Sequence, residues 1–89
     1  MQEKEVEATI LFKLYRQKRV GGVHTAFDNL QRGFPKHLRE TIKDLAKDLI
    51  RKGLIISKPT SYGLQVSLNK EKLIEVVNFI ELTLGIKLE

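Results

Sequence analysis

The chain has 89 residues and contains no cysteine. This absence excludes disulfide bonds, thiolate nucleophiles and cysteine-ligated zinc or iron–sulfur sites. A chain of this length has room for one small domain, 1–89, whose stability must come from the packing of a hydrophobic core. Hydrophobic residues make up 42% of the sequence and charged residues 30%, which favours a globular protein over a disordered one.

The sequence also lacks a long apolar segment. No stretch approaches the ~18 apolar residues of a membrane-spanning helix, and the N-terminal MQEKEVEATI carries acids where a secretory signal would be apolar. We therefore expect a cytoplasmic protein without a membrane partner. The last two residues, Leu88-Glu89, are typical of the junction before a purification tag, so we assign them no function.

Motifs for metal binding and catalysis are missing. The two histidines, His24 and His37, are 13 residues apart, and no HxxxH, HxH or HExxH pair places two imidazoles on one helix face. A metal site would need both histidines and Asp28, and we expect none. GxSxG, P-loop and dinucleotide-binding fingerprints are absent as well. We expect neither an enzyme nor a bound cofactor.

Glycine, proline and capping residues divide the sequence into five elements. Thr25 stands where a capping box would begin a short helix, Pro35 suits the first turn of another, and Gly53 suits a C-terminal stop. Alternation of Leu64, Val66 and Leu68 with polar residues indicates a strand with one buried face. We predict helices at 3–18, 25–32, 35–52 and 69–85 and a β-hairpin at 54–68, in the order α-α-α-β-β-α.

The helix predicted at 35–52 has two distinct faces. Its apolar residues recur at helical spacing and predict a buried stripe. The stripe consists of Leu38, Ile42, Leu45, Ala46, Leu49 and Ile50.

The order of the predicted elements resembles that of the winged helix-turn-helix class. The same class is suggested by the stretch KHLRETIKDLAKDLIRKGLI, which a hairpin follows. That stretch looks like the recognition helix and wing of small bacterial and archaeal transcription regulators. The resemblance covers roughly residues 5–84 and points to no particular family. It implies an α+β winged-helix fold in which the helix at 35–52 enters the major groove of double-stranded DNA. The net charge of +5 is compatible with this polyanionic partner.

Charges on the exposed side of that helix separate into two flanks. The basic flank is expected to contact DNA phosphates and consists of Lys36, Arg39, Lys43 and Lys47. His37 and Glu40 are the residues we expect to contact bases. The other flank, formed by Glu40, Asp44 and Asp48, could discriminate between bases. The spacing is better explained by a solvated face with intrahelical pairs, which would be Glu40–Lys43, Asp44–Lys47 and Asp48–Lys52.

The wing and the start of the second predicted helix offer weaker contacts. Lys58 and Tyr62 would touch DNA from the hairpin, although a tyrosine at such a turn packs on its own hairpin at least as often. Thr25 could contact phosphate, but its expected capping role already explains it.

The two terminal helices carry apolar residues outside their main stripes. These residues either pack the two helices together within one molecule or form a homodimer that presents two recognition helices to DNA. The expected dimer interface consists of Phe12, Tyr15, Phe79, Leu82 and Ile86.

Two other functions are compatible with the same pattern. The acids on the helix at 35–52 and the thin wing favour a winged-helix module that binds another protein instead of DNA. Tyr62 and the basic flank would suit RNA or single-stranded nucleic acid. The sequence leaves these alternatives open.

Overall fold

A computed structural model describes residues 2–88 of the chain. It confirms the α+β class: within this range there are three α-helices and one three-stranded antiparallel sheet. None of the helices in the described range is long and apolar enough to span a bilayer. The elements are α1 (Glu3–Arg16), β1 (Thr25–Ala26), α2 (Arg39–Arg51), β2 (Ile55–Thr60), β3 (Gly63–Leu68) and α3 (Leu73–Leu84), with 3-10 helices at Phe27–Gln31, Lys36–Leu38 and Lys70–Lys72.

The sheet has the order β1-β3-β2, so the last strand lies in the middle. β2 and β3 form the predicted hairpin, with Ile55 opposite Leu68 and Thr60 opposite Gly63. The short strand β1 pairs with the other edge of β3 through Thr25, which lies opposite Val66. A two-residue strand has no periodicity of its own, so this pairing could not be predicted from the sequence.

The segment predicted as a helix at 25–32 differs from that expectation. Thr25 lies in β1, and Ala26 and Arg32 on either side of Phe27–Gln31 are both extended, with ψ angles of 139° and 137°. Only five residues remain between them, and they form a 3-10 helix without a side-chain cap. Pairing with β3 has therefore overridden the capping-box signal at Thr25.

The ends of the remaining helices also differ from prediction by a few residues. α1 ends at Arg16, two residues before the predicted end, because Lys18 adopts a left-handed conformation. Pro35 is extended and precedes the 3-10 turn Lys36–Leu38, so α2 begins only at Arg39. Gly53, with a φ of 79°, ends α2 as predicted.

Asn69 connects the sheet to the last helix. Its Oδ1 accepts a hydrogen bond of 3.0 Å from the backbone N–H of Glu71, which caps the 3-10 turn before α3. Its Nδ2 donates to the carbonyl of Gly53 at 2.8 Å. The same side chain therefore joins the start of α3 to the end of α2.

The core lies between the three helices and one face of the sheet. α1 packs on both α2 and α3, and the predicted stripe of α2 supplies three of the fully buried side chains, Ile42, Ala46 and Leu49. The buried core consists of Val6, Ala8, Ile10, Leu11, Leu14, Leu30, Ile42, Ala46, Leu49, Ile55, Val66, Leu68, Val76 and Ile80.

Candidate nucleic-acid interface

Three cations form a row along the side of α2. Arg39, Lys43 and Lys47 are spaced four residues apart, so their side chains lie on one face and span about 12 Å along the axis. Arg39 and Lys47 are exposed and Lys43 is half-buried. None of the ion pairs within residues 2–88 includes any of the three. The row therefore presents positive charge that no ion pair among the described residues neutralises.

Lys36 and His37 precede this row in the 3-10 turn before α2. Both side chains are exposed. His37 also lines a groove between this turn and α1. The positive surface thus begins one turn before the α-helix itself.

The acidic flank of α2 is neutralised at one end only. Asp48 lies 3.0 Å from Lys52 Nζ and 3.5 Å from an Arg51 guanidinium nitrogen. The hydrogen bond from Lys52 lowers the pKa of the Asp48 carboxyl below its usual value, and the charges of Lys52 and Arg51 lower it further. Glu40 and Asp44 are exposed and take part in no ion pair among the described residues.

The predicted intrahelical pairs are therefore formed in part. The Asp48–Lys52 pair is present, whereas the described ion pairs include neither Glu40–Lys43 nor Asp44–Lys47. Glu40 and Asp44 are exposed to solvent, as the solvated-face interpretation expects, but the described residues contain no ion pair for either of them.

Lys52 fixes the C-terminal end of α2 to α1. Its Nζ lies 3.6 Å from Glu7 Oε2, and the Glu7 side chain is nearly buried on α1. The hydrogen bond to Asp48 raises the pKa of Lys52, and the charge of Glu7 raises it further. Because these contacts occupy the charges at the C-terminal end, the free charges of α2 are concentrated towards its start.

The tip of the hairpin projects into solvent. Tyr62 is 95% exposed, so the alternative in which it packs on its own hairpin is wrong. The Thr60 hydroxyl donates to the carbonyl of Gly63 at 2.7 Å and accepts from the backbone N–H of Tyr62 at 3.2 Å. Lys58 is also exposed on this hairpin. The tip is therefore ordered by its own hydrogen bonds, while the tyrosine ring is left free for a partner.

Thr25 does not join this surface. The residue is only 7% exposed, and its hydroxyl accepts a hydrogen bond of 2.9 Å from Asn29 Nδ2. Its expected contact with DNA phosphate is therefore corrected: strand pairing with β3 turns Thr25 inwards, where it supports the 3-10 helix that follows.

Arg51 is a residue that the sequence reasoning missed. It is exposed and follows Lys47 by four residues, so it extends the row of cations by one turn, although Asp48 partly neutralises it. The spacing alone would have revealed it. Within residues 2–88, no cluster of histidine, aspartate and glutamate side chains is arranged to hold a metal ion.

The expected dimer residues separate into two groups. Phe12, Tyr15 and Phe79 are half-buried and pack against the core of the same molecule, because α1 and α3 pack together. Leu82 is 85% exposed, and Ile86 is partly exposed. Packing within one molecule therefore accounts for the three aromatic residues but leaves Leu82 uncovered.

Comparison with protein-family models, curated proteins and solved structures finds no match to this chain.

Proposed function

We propose that this chain is a winged helix-turn-helix protein that binds double-stranded DNA and regulates transcription. In this proposal α2 is the recognition helix and the β2–β3 hairpin is the wing. The arrangement in which α2 is followed directly by a hairpin with a projecting tip supports this assignment. Binding of this kind requires no catalysis and no cofactor.

The unpaired row of cations on α2 is the observation that carries the proposal. A polyanion is the partner that such a row suits, because each phosphate contact releases condensed counterions from DNA. Lys36, Arg39, Lys43 and Lys47 supply the phosphate contacts, while His37 and Glu40 at the start of the helix face base edges. A carboxylate there would accept from a cytosine amino group.

The wing adds a light contact. Tyr62 has an apolar ring and a hydroxyl, and both are in solvent in the free protein. The ring would rest on a sugar–phosphate ridge, with Lys58 providing one further positive charge. Because the wing has only one nearby lysine, it contributes less to the affinity for DNA than α2 does.

Fluorescence anisotropy with a labelled mixed-sequence duplex tests the proposal. Wild-type protein should bind at low salt, and Lys43→Ala should bind every duplex more weakly because one phosphate contact is lost. Lys4→Ala is the matched control, because Lys4 is an exposed lysine in the first turn of α1, outside both α2 and the wing. Equal losses for both variants, or no binding by the wild type, would contradict the proposal.

We also propose that α3 forms the contact of a homodimer. Ile74 and Leu82 are 79% and 85% exposed, and their spacing of eight residues places them on the same side of the helix. A second copy would cover these residues and would place two α2 helices on successive half-sites of DNA.

One observation favours the protein-binding alternative. Glu40 and Asp44 are exposed and unpaired among the described residues, and carboxylates on this face are repelled by phosphate. A basic surface on a protein partner would form ion pairs with these two carboxylates. Substitution Glu40→Gln distinguishes the two functions, because it should strengthen non-specific DNA binding and weaken binding to a basic protein partner.

A further inference from the structure

A groove of about 810 Å³ lies between the C-terminal half of α1 and the connection that leads into α2. Phe12, Lys13 and Arg16 line it from α1, and Phe34 and His37 line it from the connection. Its volume falls within the range of about 300–1,000 Å³ that is typical of small-molecule sites. The groove is partly open to solvent and is separate from the row of cations on α2.

The charges around the groove all have one sign. The ionisable residues that line it are Lys13, Arg16, Arg32 and His37, and no aspartate or glutamate is among its lining residues. None of these four takes part in an ion pair among the described residues. An anion in the groove would therefore meet only attractive or neutral side chains.

Lys13 is held inside this positive environment by the backbone. Its Nζ donates to the carbonyls of Asn29 and Arg32 at 2.7 and 2.6 Å, which leaves one of its three N–H donors for another acceptor. Burial lowers the pKa of Lys13, and the nearby charge of Arg32 lowers it further. A negative charge placed beside Lys13 would relieve this repulsion.

The rest of the lining is apolar. Phe12 and Phe34 are half-buried, and Leu38 lies beside them in the groove. The guanidinium of Arg16 lies 5.6 Å from the centre of the Phe12 ring, within the range of a cation–π contact. Inorganic phosphate would satisfy the charges but would leave these apolar side chains in water. The lining suits a ligand with both an anionic group and a flat apolar body.

We propose that this groove binds a small organic anion with an apolar ring, of the aromatic carboxylate class. The carboxylate would lie near Arg16, Arg32 and the free donor of Lys13, and the ring would pack against Phe12 and Phe34. His37 and Leu38 join the groove to the start of α2, so an occupied groove adjoins the proposed DNA surface. The site does not rest on the proposed function, because the ligand binds the free protein.

A titration with benzoate, followed by two-dimensional ¹⁵N–¹H NMR, tests this proposal. The amides of Gly33 and Phe34 should shift and saturate with benzoate. Acetate has the charge without the ring, and benzyl alcohol has the ring without the charge, so each should bind about tenfold more weakly or worse. Amides at the wing tip, such as that of Tyr62, should not shift.

Two variants connect the shifts to the groove. The double substitution Arg16→Gln/Arg32→Gln should weaken benzoate binding about tenfold or more, since both arginines are exposed and their loss leaves the core intact. Lys4→Gln/Lys70→Gln removes the same charge at two exposed lysines that do not line the groove, and it should leave binding unchanged. An unchanged dispersion of amide signals shows that each variant is folded.

Three outcomes would overturn the inference. These are equal binding of acetate and benzoate, benzoate shifts spread over the whole basic surface, and unchanged binding in the arginine double variant. If the same double variant instead loses duplex DNA binding while benzoate does not bind, the groove belongs to the DNA surface. Absence of DNA binding by the wild type would overturn the proposed function alone.

Discussion

Lys18 and Gly53 occupy equivalent positions after α1 and α2, and both have left-handed backbones, with φ angles of 57° and 79°. After α1, the amide of Lys18 donates to the carbonyl of Tyr15 at 3.0 Å and that of Arg19 donates to Leu14 at 2.9 Å. This pair of bonds is a Schellman motif. Lys18 is the only residue other than glycine with a positive φ in the described range.

The end of α2 repeats the same motif with glycine in the left-handed position. Gly53 donates to the carbonyl of Ile50 at 3.0 Å, and Leu54 donates to Leu49 at 3.1 Å. A Cβ at Gly53 would meet only the Lys72 side chain, at 3.6 Å. The need for glycine there comes from the backbone conformation and not from crowding.

We predict that Lys18→Gly stabilises the protein. Removing the backbone strain of the left-handed lysine should raise the free energy of unfolding by about 1–2 kcal/mol. The greater conformational freedom of glycine in the unfolded chain should offset about 0.4–1 kcal/mol of this gain. The net gain in the free energy of unfolding, measured in urea, should be about 0.5–1 kcal/mol. Gly53→Ala makes the reverse change and should destabilise. A lower urea midpoint for Lys18→Gly would contradict this explanation.

The ion pairs of Asp48 predict that the stability of the fold depends on pH. The hydrogen bond from Lys52 lowers the pKa of Asp48 in the folded protein. The ionised carboxylate therefore stabilises the fold above the ordinary pKa of aspartate, about 4. This contribution to the free energy of unfolding is lost as the pH falls through the folded pKa. Asp48→Asn should therefore be less stable than wild type near neutral pH and equal to it at low pH. Urea unfolding of both proteins over this range checks the prediction. A difference that is independent of pH would contradict it.

Tyr62→Ala should weaken DNA binding without changing the stability of the fold. Because Tyr62 is 95% exposed, the free energy of unfolding should change by less than about 0.5 kcal/mol. DNA binding in the anisotropy assay should weaken several-fold, since the ring no longer rests on the sugar–phosphate ridge. The neighbouring exposed serine provides the control, and Ser61→Ala should bind as wild type does. A Tyr62→Ala protein with wild-type affinity would remove the wing from the interface.

Leu82→Glu should convert the proposed dimer into a folded monomer, because a carboxylate would be buried in the contact. Sedimentation velocity measures the state directly, and circular dichroism should show unchanged helix content. Phe79→Glu is a poorer test, because Phe79 packs against the core of its own molecule and its loss would also destabilise the fold. A monomeric wild-type protein would contradict the dimer.

The parts of the fold with strong local signals could be predicted from the sequence. The stripe of α2 and its stop at Gly53 agree with the structure, and Val66 and Leu68 are buried as predicted. The strict alternation predicted for β3 is wrong, because Leu64 is exposed and Ser67 is buried, with its hydroxyl donating to the carbonyl of Gly21. These signals come from periodicity and from backbone conformations that glycine favours. They depend on residues close together in the chain.

The parts that depend on distant contacts could not be predicted. Thr25 carries a capping signal, but its strand pairing with Val66 across the sheet decides its conformation. The groove between α1 and the connection before α2 brings Phe12 and Phe34 into one lining, and no local pattern links residues so far apart in the chain. The row of cations was visible from its spacing, whereas its lack of ion pairs was established only by the structure.

The salt dependence of DNA binding tests the central claim most directly. For wild type, the logarithm of the binding constant should fall linearly with the logarithm of salt concentration, and Arg39→Glu/Lys43→Glu should bind more weakly with a slope shallower by about two. The control Lys4→Glu/Lys87→Glu changes the net charge equally at exposed positions outside α2 and should keep the wild-type slope. Equal slopes for the two double variants, or no duplex binding by wild type at low salt, would contradict the proposal that α2 meets DNA.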